Sequence, residues 1–232
     1  MSLFSMRDHP IPPVTEPLQY RAIGIVRGIY RPEDPDQFTR GHLVDSEGLV
    51  LEAVVLGRVM TLMRRHLDMN QPHLWVVYPR IRDADHLHLQ IAGIWEPSTL
   101  ERARRDIDDS SPSTDEAKPV VDQLPEGDDY FSIRGELIFT RPETGDLVVR
   151  VRQQPRVDGS RPVPFKLQLK GDIPLEHLRH FVSLGLRRHG QQLHVEGHEV
   201  MGKMPTRAGK RRAKDGRGAV VRRRVQDTKP DH

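Results

Sequence analysis

Residues 202–232 hold eleven Lys or Arg against three Asp, a local charge of +8 in a chain whose total is only +3. Everything before residue 202 therefore sums to −5, so the basic charge belongs to one segment and not to the body of the protein. It gathers in Lys210, Arg211, Arg212 and Lys214 and again in Arg222, Arg223 and Arg224, spaced by Gly209, Gly216 and Gly218. Such a segment has almost no apolar residue to bury and is expected to stay disordered in isolation. A flexible polycation binds polyanions: phosphate oxygens of nucleic acid first, an anionic surface second. A solubilising tail without a partner is the plainer reading of the same charge run.

Aromatic chemistry collects elsewhere. The stretch His73-Leu74-Trp75-Val76-Val77-Tyr78-Pro79-Arg80, with Tyr20, Tyr30 and Trp95, puts five Trp or Tyr on or beside expected strands. Arg27, Arg31, Arg40, Arg80 and Arg82 fall near the strand ends. Exposed aromatics stack on bases while flanking arginines hold phosphates. Trp75 and Trp95 lie in apolar surroundings and read as core. Tyr30 and Tyr78, next to Arg31 and Arg80, are the better platform. Arg27, Tyr30, Tyr78 and Arg80 are thus the candidate binding strip. Further along, Arg150, Arg152, Lys166, Gln168, Lys170, Arg187 and Arg188 make a basic strip if their strands are neighbours, and an ordinary polar face if they are not.

Other chemistries find little support. His86 and His88 share a strand face and could join His73 around a metal, but no carboxylate is clearly placed to support them. They read as solvent-facing histidines. His177, His180, His189, His194 and His198 read as surface residues whose charge varies near neutral pH. Residues 24–28 carry two glycines without the spacing of a phosphate-binding loop, and Ser183 lacks the glycine frame of a nucleophile elbow. The Asp and Glu clusters sit where nothing fixes their geometry, and catalysis needs positioned groups. No metal, no cofactor and no catalytic residue is expected, so the chain is read as not an enzyme. It has no cysteine, which removes disulfides and thiolate sites together. Without a signal-peptide run or eighteen consecutive apolar residues, a cytoplasmic protein with no membrane insertion is expected.

Two compositional breaks divide the chain. Residues 101–129 hold ten acidic against four basic residues, with Pro112, Pro119 and Pro125 among them, and read as an acidic linker. The expected order is a flexible arm (1–17), a first domain (18–97), the linker (98–129), a second domain (130–201) and the basic tail (202–232). In the first domain, alternation marks strands at 20–30, 38–44, 49–56, 74–78 and 86–95, the fourth stopped by Pro79. Between the third and fourth, Val59, Met60, Met63 and Leu67 fall at helical spacing. Leu51, Val54, Leu56, Leu74, Val76 and Ile91 are the expected core. Three strands, a helix and two strands is the order of an OB barrel. The second domain repeats it, with strands at 130–140, 146–153, 165–170, 181–188 and 191–200 and a short segment at 173–180 in the helix slot. Residues 20–24 and 130–135 also echo each other, which suggests an internal duplication. The fold class is therefore mainly β, two small OB-like Greek-key barrels.

The run Tyr20-Arg21-Ala22-Ile23-Gly24-Ile25-Val26-Arg27-Gly28, with Leu56-Gly57-Arg58-Val59-Met60 and residues 73–80, resembles a conserved uncharacterised cyanobacterial protein family. The resemblance covers both folded parts and implies a cyanobacterial source; it carries no functional residues with it. The residues themselves point to a nucleic-acid-binding protein, RNA in preference to DNA, with barrels for stacking and a tail for phosphates. An adaptor whose tail docks on an acidic protein surface is the alternative. A membrane-surface role is disfavoured, because the tail lacks the Leu and aromatic residues of an amphipathic anchor.

Overall fold

The computed structural model describes residues 9–81, 86–96 and 124–204. Among the described residues ten strands run as β1 (Arg21–Asp34), β2 (Gln37–Val44), β3 (Val50–Val55), β4 (His73–Ile81), β5 (Leu87–Ile94), β6 (Tyr130–Arg141), β7 (Asp146–Val151), β8 (Phe165–Lys170), β9 (His180–His189) and β10 (Gln192–Lys203). The helix α1 (Gly57–His66) lies between β3 and β4, and a single 3₁₀ turn, Leu175–His177, lies between β8 and β9. In the first half β1 pairs with β2, β2 with β3, β3 with β5 in parallel, β5 with β4, and β4 with β1. That closed order is the OB barrel. The second half repeats it strand for strand, closing through a parallel contact at His194 and Lys170. The chain is mainly β, with two OB-fold domains.

Alternation decides what each barrel encloses. On β3, Leu51, Ala53 and Val55 point inward. On β4, Trp75 and Val77 do so. In α1, Val59 and Met63 share one face and bury it against the barrel. Burial of each such Val, Leu or Met side chain is worth roughly 1.5–3 kcal/mol. Of the expected core, Leu51 and Ile91 lie inside the barrel. Val54 and Val76 are only half-buried and Leu56 is exposed, so on β3 the facing expected for Val54 and Leu56 is wrong by one residue while that of Leu51 holds. Residues 49–56 carry apolar residues on both sides, and only Glu52, which shares its side with Val54 and Leu56, marks that side as the outer one. Leu74 is buried, but in a separate outer cluster with Ile11, Ile23 and Ile25. Ile11 belongs to the expected flexible arm. Residues 9–17 instead lie against the barrels, where Arg21 donates to the Pro12 carbonyl and Arg134 to that of Pro17. The strand expected to stop at Pro79 continues to Ile81. Pro79 falls beyond the last β1–β4 pair, where β4 is an edge on that side and can tolerate proline.

The barrels are not beads on a linker. The start of β1 pairs antiparallel with the start of β6, with Arg21 opposite Arg134, Ala22 opposite Ile133, Ile23 opposite Ser132 and Gly24 opposite Phe131. All ten strands thus belong to one hydrogen-bonded sheet. The two segments that echo each other in sequence are the two that pair. A Cβ on Gly24 would sit 2.1 Å from the Phe131 ring, so glycine is what lets the strands meet there. A second tie lies in ions. Arg188 on β9 reaches Asp45 of the β2–β3 turn at 2.8 Å and Asp129 at 2.7 Å. The last residues of the expected linker are likewise engaged: Asp128 binds Arg27 at 2.7 Å and Glu126 binds His9 at 3.0 Å. Residues 98–123 of that linker, and residue 97 before it, lie outside the described residues.

Candidate nucleic-acid interface

The structure separates the four residues expected to form the first-barrel strip. Tyr30 is 1% exposed. It shares the inward face of β1 with Val26 and Gly28, packs near Trp75 with ring centroids 6.2 Å apart, and donates its hydroxyl to the Phe38 carbonyl at 2.9 Å. Burial pushes its phenol pKa up to about 12. Tyr30 is a core residue and offers no platform. Gly41 on β2 frees the room that its ring occupies: a Cβ there would lie 2.7 Å from the Tyr30 hydroxyl. Arg27 points outward but is held in a two-point ion pair by Asp128, at 2.7 and 3.2 Å. Tyr78 and Arg80 alternate with buried Val77 and Pro79 and share the outer face of β4. Tyr78 is 37% exposed. The Arg80 guanidinium lies 4.0 Å over the ring of Phe165, from the other barrel. Burial holds its pKa below the ordinary value.

Tyr78 and Arg80 therefore open onto a cleft between the barrels, a space of about 660 Å³. Tyr20 and Arg21 line it from the first half, and Arg152, Arg161 and Phe165 from the second. The Arg152 guanidinium sits 5.5 Å over the Tyr20 ring. A neighbouring hollow of about 580 Å³ shares Arg152 and Arg161 and adds Arg150, Arg179 and Glu136. The cleft residues of the second barrel could not be found from the sequence of the first. Only the β1–β6 pairing brings Phe165 and Arg161 to Arg80, and its one sequence signal is the echo between the two openings.

The second-barrel strip depended on β7 and β8 being neighbours, and they are, with Arg150 opposite Lys166, Val148 opposite Gln168 and Asp146 opposite Lys170. Leu147, Val149 and Val151 point into the barrel with Leu167 and Leu169, so the polar partners face out. Lys166 and Gln168 are exposed. Two cations are partly neutralised: Lys170 binds Asp146 at 2.6 Å, and Arg150 binds buried Glu136 at 3.2 Å. Beside this row the bulge on β6 turns Phe139 outward, 38% exposed, with Arg141 5.5 Å from its ring. Arg187 and Arg188 do not join the strip. Arg187 is paired with Glu196, and Arg188 is buried between its two aspartates.

Trp75 is wholly buried and donates its indole N–H to the Gly28 carbonyl at 2.9 Å, and Trp95 packs on the outer cluster. His86, His189 and His198 are exposed and His177, His180 and His194 half-buried, whereas two histidines lie inside. His73 is buried between Glu96 and the Asp68 carbonyl, and His88 is buried 3.5 Å from Glu52. Among the described residues no three His, Asp or Glu gather as a metal site. No helix among them is long and apolar enough to cross a membrane. The tail candidates Lys210, Arg211, Arg212, Lys214, Arg222, Arg223 and Arg224 lie outside the described residues.

Residues 22–102 match a family described as "PatR RNA-binding protein, N-terminal OB-fold domain". Residues 133–202 match one described as "Cyanobacterial OB-fold-like RNA-binding domain, C-terminal". No curated protein matches the chain.

Proposed function

Because the chain belongs to the cyanobacterial family whose paired OB-fold domains these two descriptions cover, we propose that it is a non-enzymatic RNA-binding protein. One observation carries the reading at residue level. β7 and β8 are the second and third strands of their barrel, the face on which OB folds take oligonucleotides. Here that face presents Arg150, Lys166, Gln168 and Lys170, with Phe139 exposed beside them. Cations hold phosphates, and an exposed ring gives a base a surface to stack on. The basic tail adds charge. It raises the encounter rate and the affinity for any polyanion, and leaves selection to the barrels. RNA is preferred over DNA on the family descriptions, and the 2′-hydroxyl is the group a protein would use to tell them apart.

Fluorescence anisotropy with a short single-stranded RNA and the same sequence as DNA, over a series of salt concentrations, tests this. If about six tail cations contact phosphates, log affinity should fall with log salt at a slope of roughly −4. Deleting residues 205–232 should flatten that slope and leave the RNA preference in place. Absence of RNA binding by the full chain at low salt would sink the reading. Binding only to acidic proteins, unaffected by nuclease, would replace it with the adaptor.

A further inference from the structure

We propose that the cleft between the two barrels is a second RNA subsite, in which an unpaired base stacks on Tyr78 while the adjoining phosphates meet Arg80, Arg152 and Arg161. The inference rests on the RNA-binding reading and adds to it a place, outside the strand face, where a single strand is gripped by both barrels at once.

Charge is the first support. The cleft is lined by Arg21, Arg80, Arg152 and Arg161 against one carboxylate, Glu16. Arg80 is half-buried and spends its contacts on the Phe165 ring and the Pro79 carbonyl. It has no carboxylate partner among the described residues. A guanidinium withdrawn from water without a counter-ion is costly, and an incoming phosphate removes that cost. Arg161, exposed on the β7–β8 loop, likewise has no acidic partner among the described residues.

Shape and continuity are the second. At about 660 Å³ the cleft falls in the size range of sites that enclose a small ligand, roughly 300–1,000 Å³. Tyr78 is exposed at its wall while its strand neighbours are buried. A base removed from its stack would find a ring there, which suits the single-stranded form of RNA and not the duplex. The neighbouring hollow, with Arg150, Arg152, Arg161 and Arg179 against Glu136, joins the cleft to the β7–β8 face through Arg150. A strand lying on that face thus has an unbroken line of cations leading between the barrels. The walls are held in place by the β1–β6 ladder and by the Arg188 ion pairs, so little ordering is left for binding to do.

The full chain and two oligouridines, of about 5 and about 12 nucleotides, supply the test, since OB folds occupy about 4–16 nucleotides each. Tyr78→Ala should weaken binding of the longer probe by about 5- to 100-fold, and Arg161→Gln should weaken it and make its salt slope shallower. Tyr78→Phe keeps the ring and should bind as the parent does. The paired change Lys166→Gln with Lys170→Gln should weaken both probes, because it acts on the strand face. If Tyr78→Ala and Arg161→Gln bind the longer probe like the parent, the cleft subsite is overturned while the strand-face variant still reports on RNA binding. If the parent binds neither probe, it is the RNA-binding reading that fails. Should Tyr78→Ala lose its fold, Arg161→Gln alone decides, since its side chain is exposed on a surface loop.

Discussion

Replacing Arg188 with Met should loosen the two barrels from each other. The guanidinium is 5% exposed and is shared between Asp45, 7% exposed, and Asp129, 28% exposed. Met keeps most of the aliphatic stem and removes the charge. Two carboxylates would then remain in poorly solvated positions. Asp45 would still accept from the Glu47 and Leu49 amides, at 3.0 and 2.9 Å, but would have no cation beside it. Breaking a buried ion pair by removing one partner costs about 3–5 kcal/mol. In a protein of this size each kcal/mol moves the melting point by roughly 2–4 °C, so a drop of about 6–20 °C is expected. Burial alone would raise the Asp45 pKa, but the hydrogen bonds from Arg188 and the two amides outweigh it and hold it below its ordinary value. Its contribution to stability is therefore complete above the usual carboxylate range and is lost as pH falls through that lowered pKa. Arg188→Met should lose part of this acid-limb dependence. Thermal melts at neutral and acid pH read both effects. Neutralising all three groups, by Arg188→Met with Asp45→Asn and Asp129→Asn, should recover much of the loss, because no unpaired charge remains. A melt of Arg188→Met within about 2 °C of the parent would refute the reasoning, since it corresponds to less than about 1 kcal/mol.

Gly24→Ala should cost about 1–3 kcal/mol or more by overpacking, because its new methyl would meet the Phe131 ring across the β1–β6 ladder; Phe131→Leu in the same chain should restore part of it, and equal melting of Gly24→Ala and the parent would contradict the junction. Tyr30→Phe should cost about 1 kcal/mol, the worth of one hydrogen bond, with RNA affinity unchanged. In an alkaline titration followed by absorbance, Tyr30 should not ionise until about pH 12. Leu74→Ala should destabilise by about 2–4 kcal/mol through transfer and cavity terms, whereas Val54→Ala, on the half-buried outer side of β3, should cost clearly less in the same denaturant titration.

The order of elements was legible because the period of the apolar residues changes from two to three or four and back. Val59 and Met63 announce the helix between β3 and β4 inside a row of alternating strands. Phe165–Lys170 alternates so cleanly that its bounds and its facing both follow from sequence. Facing failed on β3, where both sides are largely apolar and only Glu52 marks the side of Val54 and Leu56 as outer. Tyr30 was misplaced for a related reason. An aromatic beside Arg31 reads as surface, while Gly41, which makes room for its ring, lies on the next strand and is tied to Tyr30 by no local pattern. Tyr78 and Arg80 were legible as an exposed pair. What they face was not. Contact with Phe165 and Arg161 depends on two barrels sharing a sheet edge, and no local pattern encodes which edge is shared. The buried histidines, His73 and His88, were hidden because their partners Glu96 and Glu52 are distant in sequence.

Photo-cross-linking of the full chain to a short single-stranded RNA, followed by peptide mapping, tests RNA binding by the second barrel most directly. Adducts are predicted on residues 148–152 and 165–170, where β7 and β8 present their cations, alongside those on the basic tail. Adducts confined to the tail, or to residues 37–55 on the first barrel with none on the second, would contradict it.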